Sequence, residues 1–473
     1  MSALADPRQA RAFRFVGCDY ADGIARLRYA FDDGPELIEQ IEFPGAPVLP
    51  NQRALAFDAA LKLLHLIAGV SYYKAGVPGE IIVEGKALDA ATAEFLEQVY
   101  FHGLAEFAYQ NKLDLRGRIR FSSLDRHSRE SGNPVPSLEQ HKELDPRFRG
   151  DDEKKRAAPL NLPRRTLVPI GGGKDSLVSV EMLKQVGEPM TAVWVGESAL
   201  IAACVQRTGL DALNIKRRLA PELFEYNRVG AWNGHIPVTA INSAILIVAA
   251  ILYGYDAIAF SNEHSASAAT LEYDGQTINH QWSKSLDFER RLREHINSHI
   301  AADLDYFSLL RPWSELSVTR AFAETSRYDD VFSSCNRNFR IRGERPADRW
   351  CGQCPKCHFV FLALSVFVAK PRLLAIFGRN LLDDAALATG FDALLEYRGH
   401  KPFECVGEGR ESRAAMHFLA QRPEWREDAL VARFAEEIEP QLARSELALA
   451  PLLAPAAEHF LPLRLQRLLH ASG

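Results

Sequence analysis

The sequence predicts an α/β fold, a doubly wound parallel sheet carrying an α+β N-terminal domain and a helical C-terminal part. Three observations predict it. Apolar strand-like runs alternate with helical patterns between Thr166 and Asn262, which is the pattern of a parallel sheet covered on both faces. A meander of short β-type runs from Phe13 to Phe43 precedes them, and the end of the chain is rich in helix formers at helical period. The expected divisions are residues 1–125 for the N-terminal domain, 126–158 for a linker, 159–370 for the sheet domain and 371–473 for the helical region.

Length and composition set the limits. With 473 residues the chain exceeds what one hydrophobic core usually organises, so more than one module is expected. Hydrophobic residues at 47% and charged residues at 25% are ordinary for a folded globular protein. A net charge of -5 argues against a general electrostatic grip on nucleic acid, and no nucleic-acid partner is expected. The N-terminal MSALADPRQARAF has no apolar stretch behind its charges, so a cytoplasmic location is expected. Ala240 to Phe260 reaches membrane-span length, but Asn242, Ser243, Gly254 and Asp256 interrupt it as in a buried helix followed by a buried strand, and no membrane partner is expected. Seven cysteines in such a chain do not predict a disulfide framework. Oligomeric state is left open.

The elements follow in order. FRFVGCDY, GIARLRYAF and ELIEQIEF are short strands separated by Asp/Gly turns; helical spacing follows from Ala54 and from Ala87, with IIVEG from Ile81 as a strand between them. Arg126 to Arg156 is dense in charge, carries three prolines and holds almost no aliphatic residues, so it cannot offset its ordering entropy by burial. It also resembles the peptides encoded where bacterial intergenic palindromic repeats enter a reading frame. Then come TLVPI, a helix from Ser176, TAVWVGE, a helix running to Leu252, and DAIAFSN. A ligand crevice is expected at the carboxyl ends of these strands.

Between the first of these strands and its helix stands IGGGKDS. A Walker A loop needs glycine where Val168 stands and Ser/Thr where Asp175 stands; a dinucleotide fingerprint needs glycine where Ser176 stands. Both fit poorly. GGGKDS resembles instead the Ser-Gly-Gly-x-Asp-Ser loop of the PP-loop ATP pyrophosphatase superfamily, with Gly171 in place of the first serine. Gly172 and Gly173 let backbone amides approach phosphate oxygens, and the helix start directs its positive dipole end at them. Asp175 suits Mg²⁺, Ser176 a hydroxyl contact, and Lys174 the charge of a leaving pyrophosphate. A glycine-rich turn without ligand is the bland alternative. HIPVTAIN and SNEHSAS resemble later parts of the same fold, which would set Ser261, Asn262 and Glu263 beside the nucleotide; Asn242 equally suits a helix cap.

Cys335, Cys351, Cys354 and Cys357 supply four thiols, the last three with two-residue gaps, a spacing that lets thiolates converge on one ion. The block resembles the four-cysteine zinc site of PP-loop enzymes that make deazaguanine nitriles. Structural Zn²⁺ is favoured over an iron-sulfur cluster, and merely buried cysteines are the alternative. Between the ligands, Arg337, Arg340, Arg342, Arg345 and Arg349 suit an anionic substrate or a solvated surface equally.

Over its whole length apart from the charged insertion the chain resembles the MurL family, the UDP-N-acetylmuramoyl-L-alanyl-L-glutamate epimerases of peptidoglycan synthesis. The FRF meander with GVSYYKAGVP, VPIGGGKDS, SNEHSAS, NHQWSKS, SSCNRNFR with WCGQCPKC, and KPFECVGE carry the resemblance by their order. It implies ATP and Mg²⁺ as cofactors, a UDP-linked muramoyl dipeptide as partner, and adenylation of the glutamate α-carboxylate, which lets the acyl group absorb the charge left by Cα–H removal. His264, Lys284, His280 and His235 are the candidate acid/base groups, with Lys174 and Asp175 at the phosphates. Cys204 and Cys405 stand behind them, because an isolated cysteine is most often only buried. A ligase or thiolase of the deazaguanine or tRNA-modification type, and a nucleotide-binding protein without turnover, remain as alternatives.

Overall fold

The computed structural model describes residues 5–85, 87–122, 156–340 and 344–471. The charged insertion expected at 126–158 therefore lies outside the described residues up to 155, as does Arg342.

The described residues form eleven strands: β1 (Ala12–Ala21), β2 (Ile24–Phe31), β3 (Leu37–Glu42), β4 (Glu80–Val83), β5 (Thr166–Pro169), β6 (Met190–Val195), β7 (Ala212–Arg218), β8 (Ala257–Phe260), β9 (Leu271–Tyr273), β10 (Gln276–Ile278) and β11 (Asp305–Ser308). Nine form one sheet in the order β11-β8-β5-β6-β7-β3-β2-β1-β4, and β9 and β10 form a separate hairpin. From β11 to β7 all neighbours are parallel. The meander β1 to β3 is antiparallel and joins the parallel half edge to edge through β3 and β7. The α/β class is observed, in a mixed sheet that runs without a break between the two expected units.

That junction explains why β7 continues past Ile215, where its pairing with β6 ends. Its end, Lys216-Arg217-Arg218, has no apolar alternation, yet β3 faces it with acids. Arg217 donates to Glu39 at 2.7 Å, while Lys216 and Arg218 pair with Glu42 at 3.6 and 3.7 Å. Glu39 is fully buried, so its carboxylate is held there by the Arg217 guanidinium.

Within the parallel half, successive residues point to opposite cores. Leu167, Val193, Ile258, Phe260 and Tyr306 enter one; Val168, Ala192, Ala257, Ala259 and Phe307 enter the other. This period of two, buried on both sides, is what a sheet wound on two faces requires. The first core is covered by α1 (Ala54–Ala68), α2 (Ala90–Gly103), α3 (Ala105–Asn111), α6 (Val238–Tyr253) and α7 (Leu286–His299). The second is covered by α4 (Lys174–Gln185), α5 (Ala199–Thr208), α8 (Glu315–Ala323), α9 (Pro355–Ser365) and the C-terminal helices, among them α10 (Gly409–Ala420). The C-terminal region thus packs into the same core as the cysteine-bearing helix.

The stretch of membrane-span length folds as α6 and β8, buried in the sheet. Among the described residues one run, Asn51–Tyr73, is long and apolar enough to cross a membrane, and 67% of its most apolar window is buried inside the protein. Sequence order reverses between β5 and β8, because the chain adds β6 and β7 on one side of β5 and β8 and β11 on the other. Such a switch point splays the following loops apart and leaves a crevice.

Candidate active site

The crevice is a cavity of about 310 Å³ at the carboxyl ends of β5 and β8. Gly171, Gly173, Asp175 and Ser176 line it from the loop after β5, and Ser261 and Asn262 from the loop after β8. Lys284 and Cys405 enter from elsewhere in the chain, and Ser333, Ser334, Asn336 and Phe339 close it from above the glycine loop.

The glycines answer to identifiable contacts. Gly172 has φ +85°, in the left-handed region, and a Cβ there would meet the Phe339 ring at 3.3 Å. A Cβ on Gly173 would lie 2.7 Å from Ser334 Oγ. At Gly171 a Cβ would meet nothing within 4 Å. Gly173 is the N-cap of α4 and offers no side-chain acceptor, so no side chain caps the first amides of a twelve-residue helix that begins at the cavity wall.

Lys174 behaves differently from the expectation that it meets a pyrophosphate. Its side chain is 1% exposed and its ammonium bonds to Glu315 and, at 2.5 Å, to Asp175. It does not line the cavity; it ties the loop to α8 from below. Burial would raise the Glu315 carboxyl, but Lys174 and Lys356 outweigh it and hold this acid well below the usual carboxylate range. Asp175 keeps one face on the cavity. His264 also departs from expectation: it is exposed in the turn after Glu263 and does not line the cavity. Ser261 bonds Ser179 at 2.7 Å, and Asn262 donates to Ser308 at 2.9 Å, so both are fixed to neighbouring elements.

Lys284 is positioned through its backbone. Fully buried Arg311 donates to the carbonyls of Lys284 and Glu263 and forms a 3.1 Å ion pair with Glu289. The Lys284 ammonium lies 3.2 Å from Cys405 Sγ. Behind it, His280 bonds Glu106 through Nδ1, and its ring centroid is 4.4 Å from that of His235. Ligand atoms of Glu106, His235 and His280 lie within 4.8 Å of one another. The Glu106 carboxylate is spent on His280 Nδ1, however, and burial together with the neighbouring cations His280 and Lys284 drives His235 down to about 3.

The four cysteines converge. Their sulfurs lie within 4.8 Å of one another, with Cys354 to Cys357 at 3.4 Å and Cys351 to Cys357 at 3.7 Å, and none is in a disulfide. Tetrahedral Zn²⁺ with Zn–S near 2.3 Å places its sulfurs about 3.8 Å apart, so this donor set fits zinc. The ion would supply a structural clamp, because Cys335 sits inside the Ser333 to Phe339 segment that roofs the glycine loop, while the other three anchor the start of α9. Of the arginines between the ligands, Arg349 donates to the carbonyls of Asp329 and Phe332, whereas Arg337, Arg340 and Arg345 are exposed.

Comparison with known proteins bears on this arrangement. The MurL N-terminal domain model matches residues 4–309 and the MurL C-terminal domain model residues 331–449. The chain belongs to the MurL family. A protein of Xanthomonas oryzae pv. oryzae named UDP-N-acetyl-alpha-D-muramoyl-L-alanyl-L-glutamate epimerase is 56% identical over 466 residues, 98% of this chain and 97% of its own. Proteins of the same name from a Micromonospora species and from Salinispora tropica are each 39% identical over 463 residues, covering 96% and 97% of this chain and 97% and 95% of their own.

In this MurL family member the cysteine block lies within the second matched domain, and the cavity draws on both: the glycine loop, Ser261, Asn262 and Lys284 from the first, Ser333 to Phe339, Lys356 and Cys405 from the second. Sequence reasoning brought together six of the residues that line the cavity besides Lys284, namely Gly171, Gly173, Asp175, Ser176, Ser261 and Asn262. It ranked Cys405 behind the other candidates and did not name Glu106. KPFECVGE was visible as a motif, but nothing in the spacing links residue 405 to residue 284.

Proposed function

We propose that the chain is an ATP-dependent epimerase that converts the terminal L-Glu of UDP-N-acetylmuramoyl-L-alanyl-L-glutamate to D-Glu through an acyl-adenylate, as a step of peptidoglycan precursor synthesis. One observation carries the reading: a single cavity presents both an uncapped helix start with an adjacent acid and an ammonium-thiol pair. The first suits a nucleotide, the second a carbon acid. The relatives' shared name supplies the substrate. GGGKDS at the switch point supports a PP-loop type of sheet, with ATP as co-substrate.

The residues divide the work accordingly. Backbone amides of Gly171 to Gly173 and the first turn of α4 receive the phosphates. Asp175 would hold Mg²⁺, which supplies charge neutralisation along the triphosphate. Lys174, bonded to Asp175 and Glu315, fixes that carboxylate in place. The substrate α-carboxylate attacks the α-phosphate, pyrophosphate leaves, and the acyl group becomes able to delocalise the electron pair left when the Cα proton departs. Lys284 exchanges a proton with Cα on one face. Protonation from the other face gives the D-epimer, and hydrolysis releases AMP. Exposed Arg337, Arg340 and Arg345 around the roof draw in the anionic substrate.

The test incubates the protein with ATP, Mg²⁺ and the UDP-linked L-Ala-L-Glu substrate in deuterated water. Substrate-dependent pyrophosphate and AMP, with deuterium at the glutamate Cα and D-Glu appearing, is the expected result. Release of orthophosphate alone, or AMP without isotope uptake, would overturn it.

A further inference from the structure

Inversion at carbon needs a proton acceptor on one face and a donor on the other, and Lys284 supplies only one group. Cys405 lines the same cavity and touches Lys284 at 3.2 Å. His280 stands close enough to act on the thiol electrostatically, and its Nδ1 side is taken by Glu106. Thiol, imidazole and carboxylate come from three distant segments: the loop before α10, the turn before Trp282, and α3. A carboxylate that orients an imidazole near a thiol is how cysteines are activated on unrelated scaffolds.

Charges around the sulfur agree with the geometry. Lys284, His280 and Lys356 face it as cations; Glu404 lies beside it, with Glu106 and His235 behind His280. Burial would push the thiol up, but Lys284 and His280 outweigh it and bring it down to about 5. Burial would likewise lower His280, and the neighbouring Cys405 and Glu106 carry it up to about 9. Near neutrality the resting state is a thiolate beside an imidazolium and an ammonium. Buried Cys204, by contrast, has its thiol pushed up to about 11 by burial and lies outside the cavity.

We propose that Cys405 is the second proton-transfer residue at the glutamate Cα, working against Lys284, with His280 and Glu106 as positioning residues. The proposal rests on the epimerase reading. In one direction the Cα–H bond breaks as an Sγ–H bond forms, and the electron pair passes into the acyl carbonyl as an enolate. The Lys284 ammonium, on its four-carbon stem, delivers a proton to the opposite face. The thiol then returns its proton to the Lys284 amine across their contact, restoring the ion pair with no net change in atoms or charge.

Cys405→Ser separates this role from the ATP chemistry. It is expected to retain substrate-dependent pyrophosphate release within a few-fold while losing Cα deuterium uptake and D-Glu formation by about 10²- to 10⁴-fold. Continued epimerisation would overturn the proposal. So would loss of pyrophosphate release together with exchange in a folded variant, or an acid-stable substrate thioester on the Cys405 peptide of the wild-type protein, which would make the sulfur a nucleophile. A wild-type protein that exchanges Cα without releasing pyrophosphate would instead remove the ATP reading and leave Cys405 to be judged by exchange alone.

A second readout works without changing the cysteine. Exchange should rise with pH as the thiolate forms near 5 and fall as His280 deprotonates near 9. Glu106→Gln weakens the hold of His280 on its proton, so the thiolate loses its imidazolium and the acid limb moves to higher pH, while pyrophosphate release is unchanged. An unmoved acid limb would overturn the positioning role.

Discussion

The two ends of the cavity were assembled by different means. At the phosphate end, Gly171 to Ser176 are contiguous, and a strand, a turn and a helix start fix their geometry locally. At the carbon-acid end, Glu106, His280, Lys284 and Cys405 come from segments up to 299 residues apart and meet only because α3, the turn after β10 and the loop before α10 converge there. The difference teaches that binding chemistry built on backbone amides is written in short motifs. Acid-base chemistry built on side chains is written in tertiary structure.

The comparison breaks first at Asp175. If the two ends act on successive half-reactions, Asp175→Asn removes the cation-holding charge and is expected to lower both pyrophosphate release and Cα exchange by about a thousandfold, while the Cys405 variant loses exchange only. Retained turnover would mean that the glycine loop is not the phosphate site. Pyrophosphate assays and proton exchange followed by NMR, run on both variants, read the two halves separately.

How far each end was legible follows from the same contrast. The alternation of strand-like runs with helical patterns predicted a sheet covered on both faces, and the strands are buried on both, since Leu167 and Val168, or Ile258 and Ala259, enter opposite cores. The run Lys216 to Arg218 carried no such signal, because it becomes a strand only when Glu39 and Glu42 of the meander neutralise it. For the same reason an N-terminal unit could be seen in the sequence while its fusion to the parallel half could not. Lys174 looked like a phosphate ligand by its place in the loop; its direction depends on Glu315, 141 residues later. Cys405 looked like any buried cysteine until Lys284 and His280 stood beside it.

A smaller effect is expected at the four-cysteine site, which belongs to neither end but holds the roof over the first. Cys351→Ser removes one of four ligands and is expected to lower the zinc content from one equivalent toward none, with a loss of stability of at least about 3 kcal/mol. The Ser333 to Phe339 segment should loosen with it, so nucleotide affinity should fall before Cα exchange at saturating ATP does. Metal analysis and thermal unfolding with and without chelator read the first effect. Full stability in metal-free protein would show that the thiols need no ion.

The smallest effects sharpen the phosphate end by a contrast between neighbours. Gly173→Ala forces a methyl to within 2.7 Å of Ser334 Oγ, the roof residue next to a cysteine of the metal set, and either that roof or the loop must shift. A cost of about 1–3 kcal/mol is expected, with nucleotide affinity weakened because the shift moves the amides that start α4. Gly171→Ser meets open space and needs no unusual backbone angle, so stability should change by less than about 0.5 kcal/mol. The serine hydroxyl would then stand at the cavity wall where the PP-loop pattern carries one, and ATP affinity should hold or rise slightly. Titration of both variants with ATP and Mg²⁺ distinguishes the cases: a loss at residue 171 as large as that at 173 would mean that the first glycine approaches the ligand as closely as the third approaches the roof.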